Sequence, residues 1–381
     1  MGDGCAHTIC SVNEDKASRY HRLKRTTGIL SLVWSVVLLA GLLFSGGSIS
    51  LRNISQAITP AGSTHPALVV LTYVFLLSLL NEALSVPFSF YSGFLVERRY
   101  GLSNQTLSGW ILDQLKGLVL GLILGGLAAS IIYALIRYWP DSWWLPAGAI
   151  FSLLIVGLAN LAPVLLLPLF YTVKPLEREA LRARLMALAE RASARVLGVY
   201  EWGLAAKTRK ANAALTGIAG TRRILVSDTM LADYSEDEIE VVLAHELAHH
   251  VHGDIWKGLI FESALILGGF FAGARVLQAW AGWFGLSGPD DVAGLPLLLL
   301  TGGAVSLVMV PAAHAMSRHY ERQADRFALT LTRNPTAFIS AMRRLAAQNL
   351  AEEHPSKLVE WLFYSHPPIR ERVAAAQEFK A

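Results

Sequence analysis

The chain has 381 residues, of which 53% are hydrophobic and only 16% charged, whereas an ordinary soluble domain is nearer a quarter charged. That deficit argues against a water-soluble domain. The formal charge of +4 is small for this length, and its basic residues cluster beside apolar runs, which is a pattern of membrane topology and excludes a nucleic-acid partner.

A bilayer core about 30 Å thick needs roughly 20 apolar helical residues. Six runs of about that length lie near residues 28–47, 67–89, 117–137, 142–170, 258–284 and 293–313, with Glu82, Glu262 and Arg275 as their interior charges. Trp143, Trp144, Trp256, Trp280 and Trp283 stand near run ends, as interfacial anchors do. A mostly polar tail, residues 1–27, precedes the first run, which lacks a small-residue cleavage site and is expected to be retained. Cys5 and Cys10 sit in that tail without a second pair, so neither a disulfide framework nor a zinc ribbon is expected.

Lys16, Arg19, Arg22, Lys24 and Arg25 precede the first run, against Arg52 alone in residues 48–66. This asymmetry predicts a cytoplasmic N-terminus. Counting forward divides the chain into the tail, a membrane domain of four spans (28–171), a cytoplasmic segment (172–257), two further spans (258–313) and a second cytoplasmic segment (314–381). Pro87, Pro163 and Pro168 are expected to kink or end their helices. The fold class is therefore mainly α, a polytopic membrane protein with a small β element in its polar part.

Within 172–257, EREALRARLMALAERASARV has helical periodicity and good helix formers. The stretches ANAALTG and RRILVS, separated by IAGT, read as a hairpin. Ser235 and Glu238 then have the spacing of a capping box and open a helix running to about residue 252.

On that helix HELAH occupies residues 245–249. His245 and His249 project from one face a turn apart and can share a tetrahedral ion such as Zn²⁺, while Glu246 beside them is placed to act as general base. His250 and His252 read as surface histidines without a metal role. A third ligand must come from another element, leaving one position for water. In SRHYERQAD the choice is Glu321, with Asp325 one turn on to hydrogen-bond a ligating histidine. His314, two turns before Glu321 on a similar face, is the alternative ligand; His319 is a weaker one.

These residues resemble the type I CAAX prenyl endopeptidases, membrane-embedded zinc proteases of the gluzincin kind. The likeness extends through VPFSFYSGFLVERRYGLSNQTLSGWILDQLK, LPLFYTVKPLE, KANAALTG, RRILVSDTML, HELAHH, SRHYERQAD and SHPPIRER. It implies that His245, His249 and Glu321 bind one zinc ion, that Glu246 is the base and that Asp325 supports the ligands. It also implies that Asn212 and Ala213 lie on an edge strand to which an extended substrate adds its backbone, that His366 approaches the cleft as an oxyanion donor, and that Arg372 is a second such candidate. From the residues alone, His366 is a loop histidine fixed by Pro367 and Pro368, and Arg372 a surface residue of the last helix. The family is associated with an intramembrane chamber, for which Asn81 and Glu82 suit a polar lining. Its eukaryotic members have seven spans, where this sequence shows six.

The function these readings predict is a zinc metalloendopeptidase acting on a membrane-associated or C-terminal CAAX-type polypeptide, with or without a prenyl group, at the cytoplasmic face. A quality-control protease without prenyl specificity is the alternative, and a transporter or scaffold with an incidental motif a further one. A monomer in contact with membrane lipid is expected. High Ala and Leu, with Arg in excess of Lys, favours a bacterial inner membrane over the endoplasmic reticulum.

Overall fold

The computed structural model describes residues 4–59, 66–217 and 221–379, with side chains from residue 16 onward. Cys5, Cys10 and the hairpin tip at 218–220 therefore lie outside the described side chains or residues. In chain order the membrane part comprises α1 (Gly4–Phe44), α2 (Gly47–Ile58), α3 (Pro66–Ser89), a π-helical stretch Phe90–Val96, α4 (Glu97–Arg99), α5 (Leu107–Tyr138), α6 (Trp144–Leu165) and α7 (Leu167–Phe170). The polar part follows with β1 (Val173–Pro175), α8 (Glu179–Arg191), β2 (Val199–Trp202), β3 (Ala213–Thr216), β4 (Arg223–Ser227), α9 (Asp228–Asp233) and α10 (Glu236–Val251). Then come α11 (Asp254–Trp280), α12 (Leu295–Thr332), α13 (Pro335–Asn349), α14 (Lys357–Phe363) and α15 (Ile369–Gln377).

Six of the described helices, α1, α3, α5, α6, α11 and α12, are long and apolar enough to cross a bilayer. Their outward faces carry exposed Leu, Val, Ile and Phe side chains, as expected where lipid is the solvent. Small residues let them approach closely: a Cβ at Gly148 of α6 would collide with Leu267 of α11, and one at Gly273 of α11 would meet Leu298 of α12 at 2.9 Å. The α6–α11–α12 layer that carries the polar part is thus fixed by backbone proximity.

Two expectations about the membrane part need correction. The third span starts at Leu107, not near residue 117, because Asp113 is paired with Lys207 at 2.6 Å and Lys116 reaches the Leu169 carbonyl at 2.8 Å. Charge-free windows miss helical residues whose charges are neutralised by distant partners. Nor is the N-terminal stretch a separate tail, since α1 is continuous from Gly4. Its polar residues clamp the polar part: Lys24 and Lys210 each lie 3.0 Å from Glu97, and Arg25 meets Glu352 at 2.5 Å. Of the prolines, Pro87 sits inside α3 just before the π-helical stretch, where its missing N–H loosens the helical ladder. Pro163 lies in the last turn of α6 and Pro168 in the first of α7.

The expected hairpin β3–β4 is present, and it belongs to a four-stranded sheet of order β1-β2-β4-β3. β1 and β2 escaped the sequence pattern because three and four residues are too few to show a period. β4 is central and buried along most of its length, leaving β3 as one edge. Leu181, Leu185 and Leu188 of α8, Ile224 and Val226 of β4, Leu243 and Leu247 of α10, and Phe338 and Met342 of α13 form one core. Segments 172–257 and 314–381 are therefore a single packed unit at one end of the spans.

Candidate active site

Helix α10 is positioned before it is chemically equipped. Ser235 Oγ accepts from Glu238 N at 3.3 Å and Ser235 N–H donates to Glu238 Oε2 at 2.8 Å, completing the expected capping box. Glu236, Asp237 and Glu238 crowd the first turn, where the helix dipole favours negative charge. The helix buries Ile239, Val242, Leu243, Leu247 and Ala248, so the face with the two histidines is held by packing on the others.

α12 continues past the apolar run as a rigid rod and brings buried Glu321 and Asp325 against α10. One ligand atom from each of His245, His249 and Glu321 lies within 4.8 Å of the others. Glu321 Oε2 is 3.2 Å from His245 Nε2, and Glu321 Oε1 is 3.4 Å from His249 Nε2. Tetrahedral zinc with bonds near 2.0–2.1 Å sets its ligand atoms about 3.3 Å apart. The alternative His314 is not part of this cluster; its Nδ1 is buried without a partner among the described residues. His319 instead meets Gln323 at 3.1 Å.

The outer nitrogens explain the aim of the inner ones. His245 Nδ1 is 2.9 Å from Asp325 Oδ1, and His249 Nδ1 is 3.1 Å from Asp254 Oδ2. A carboxylate beside Nδ1 favours the tautomer with its proton there and the Nε2 lone pair turned inward. Two lone pairs then face Glu321, whose buried Oε2 has no hydrogen-bond donor. Such convergence of acceptors fits a cation. Burial works to lower the pKa of His245, yet Asp325 and Glu321 push it up to about 9, so proton and metal compete for one place.

Asp254 was missed in the sequence. It follows Gly253, whose φ of +69° reverses the chain between α10 and α11, and it is buried and held by Lys257 at 2.9 Å. The signal was the HGD triplet at 252–254, a helix stop followed at once by an acidic residue.

Glu246 is largely enclosed, and burial raises its carboxyl above the ordinary range against the lowering influence of the two histidines. His366 reaches the cluster from the loop before α15, Nε2 lying 3.3 Å from Glu321 Oε1. Its side chain remains 60% exposed. Arg372 is not the surface residue its sequence position suggests. It is buried, donating through Nε and Nη2 to Asp325 at 2.9 and 2.5 Å, and its Nη2 is 3.3 Å from His245 Nδ1. His250 is likewise not a plain surface residue: its Nε2 meets the Leu215 carbonyl at 3.2 Å. His252 packs edge-on against Phe327 at 5.5 Å.

Asn212 and Ala213 are at the start of edge strand β3. Asn212 C=O accepts from Ser227 N at 2.9 Å and its N–H donates to Ser227 Oγ at 3.0 Å. Alternation then turns the N–H and C=O of Ala213 away from β4. A pocket of about 360 Å³ opens alongside, bordered by Asn212, Asn349, Tyr364, His366 and Arg372. Asn81 and Glu82, with Gln114, line a separate cavity of about 540 Å³ among α1, α3, α5 and α12.

Six helices long and apolar enough to span, with two histidines on a capped helix meeting a carboxylate of the last of those six, define a membrane-embedded metalloprotease. The chain belongs to peptidase family M48: that family's model matches residues 175–380, and the model "CAAX prenyl protease N-terminal, five membrane helices" matches residues 5–172. In that N-terminal stretch four described helices are long enough to span; the 12-residue α2, at about 1.5 Å per residue, is too short. The chain is 30% identical over 366 residues to the uncharacterized metalloprotease YhfN of Bacillus subtilis, covering 95% of this chain and 85% of that protein. It is 28% identical to CAAX prenyl protease 1 of Saccharomyces cerevisiae, covering 80% and 71%. The crystal structure of S. mikatae Ste24p shares the fold, with a TM-score of 0.83 at 23% identity over 96% of this chain and 88% of that one.

Proposed function

We propose that the protein is a zinc-dependent endopeptidase that cuts membrane-associated polypeptides near their C-terminus at the cytoplasmic surface. The observation that carries this reading is the gathering of one ligand atom each from His245, His249 and Glu321 within 4.8 Å of one another, with the outer nitrogens of both histidines carboxylate-bound. His245, His249 and Glu321 hold the ion; Asp325 and Asp254 orient the histidines. Bound zinc supplies a Lewis acid that activates water and polarises the scissile carbonyl. Glu246 takes the proton from the attacking water and delivers it to the departing amine. His366 donates to the developing oxyanion. Arg372, whose Nε and Nη2 donate to Asp325, acts as a positioning residue behind His245. The substrate backbone adds along Ala213, with Asn212 beside it.

The relatives named CAAX prenyl protease 1 support a C-terminal CAAX-type substrate carrying a prenyl group. Cleavage of a farnesylated CAAX peptide and its unlipidated twin by purified protein tests this: a strong preference for the lipidated peptide is expected, and equal rates would favour broader membrane-protein proteolysis. Cysteines placed at Ser50 and Ser287 should react with an external impermeant reagent and one at Ser235 should not; the opposite pattern would overturn the cytoplasmic orientation.

A further inference from the structure

The free edge of β3 is open at Ala213 and closed at Ala211. By the alternation that turns Ala213 outward, Ala211 and Leu215 also present their backbone groups to the free side. Both groups of Ala211 and the carbonyl of Leu215 are already taken. Asn349 Oδ1 accepts from Ala211 N at 3.1 Å while Asn349 Nδ2 donates to Ala211 O at 3.2 Å, so one carboxamide imitates a paired strand residue. The seal continues one step upstream, where Gln348 Nε2 donates to Arg209 O and Arg209 N donates to Leu102 O, both at 2.9 Å. At the other end His250 occupies the Leu215 carbonyl.

We infer that Asn349 is a specificity-determining residue: by capping the edge at Ala211 it stops extended pairing after Ala213 and restricts cleavage to substrates with a short C-terminal arm. An added strand pairs more favourably antiparallel, and an antiparallel substrate runs with its C-terminal side toward Ala211. Meeting the Asn349 carboxamide, the chain leaves the edge and enters the pocket of about 360 Å³ bordered by Asn349, Tyr364, His366 and Arg372. That volume is at the small end of ligand sites and has room for a short chain end. Asn349 is held for this task at the C-terminus of α13, where Leu350 adopts a left-handed conformation with φ of +50°.

The inference rests on the protease reading, and its test keeps the two apart. A farnesylated peptide ending three residues after the scissile bond is compared with the same peptide extended by three alanines, using purified full-length protein, Glu246→Gln as the blank, and bound metal measured throughout. The native protein should cleave the short peptide with kcat/KM at least roughly tenfold higher, and Asn349→Ala, which returns two main-chain hydrogen bonds to the substrate, should erase most of that ratio. Asn349→Asp keeps the acceptor for Ala211 N–H and loses the donor to Ala211 C=O, so it should fall between and serves if the alanine variant does not fold. A merely structural role would lower both rates together. Ratios unchanged in the variants, or no length preference in the native protein, would overturn the cap alone; no Glu246-dependent cleavage of either peptide would overturn the protease reading beneath it.

Discussion

Two buried polar clusters stand at opposite ends of the spans, and they differ in how completely they are satisfied. At the end away from the catalytic unit, Asp291 accepts from Ser287 N at 3.0 Å, from Ser287 Oγ at 2.8 Å, from Ala293 N at 3.0 Å and from Arg52. Nearby, Ser48 Oγ meets both Tyr73 Oη at 2.7 Å and the Ala293 carbonyl at 2.6 Å. No oxygen of Asp291 is left over. At the catalytic end, Glu321 keeps a buried oxygen facing nitrogen lone pairs. A saturated cluster is a structural knot; an unsaturated one, costly unless something binds, is a site.

Substitutions should separate the two ends. Glu246→Gln is expected to lower peptide cleavage about 10²–10⁴-fold, the usual worth of a positioned base, with metal content and unfolding temperature unchanged; a simultaneous drop in stability would blur the distinction. Asp291→Ala should do the reverse. Breaking a buried pair costs about 3–5 kcal/mol, toward the lower end here because the Arg52 side chain keeps 19% exposure, and denaturation in detergent should show the loss while kcat of the surviving folded fraction holds.

Asp254→Ala removes a support, not a ligand. Metal affinity should fall about 10–100-fold, read by competition with a chelator, and a variant that holds metal as tightly as the native protein would show that Asp254 matters only for the turn. The smallest effect is expected at Glu238. Burial pushes its carboxyl up, but hydrogen bonds from Ser340 Oγ and Ser235 N–H and the charge of Arg344 hold it below its ordinary 4.5. Its stabilisation is therefore complete above about pH 4.5 and fades as pH falls through the lower folded value. Glu238→Gln should cost about 1 kcal/mol at neutral pH and flatten this acid limb; an unaltered limb would remove Glu238 from it.

Much of this was legible in one dimension because local physics governs it. Apolar run length gave the six spans, S-x-x-E gave the start of α10, and a four-residue spacing put His245 and His249 on one face. Local reading also set its own limits. It cut α5 short at Asp113, whose partner Lys207 is 94 residues away, and it took Arg372 for a surface residue because nothing nearby in the chain shows that Asp325 will bury it.

The sequence by itself determined the kind of protein: membrane-spanning, helical, with a two-histidine helix and a glutamate poised to complete a metal site. What only the tertiary structure decided is how those residues are held. Asp254 behind His249, Arg372 behind Asp325 and Asn349 along the edge at Ala211 are all pairings made by packing. Their energies depend on burial and on geometry between distant segments, and neither quantity is encoded in local periodicity or spacing.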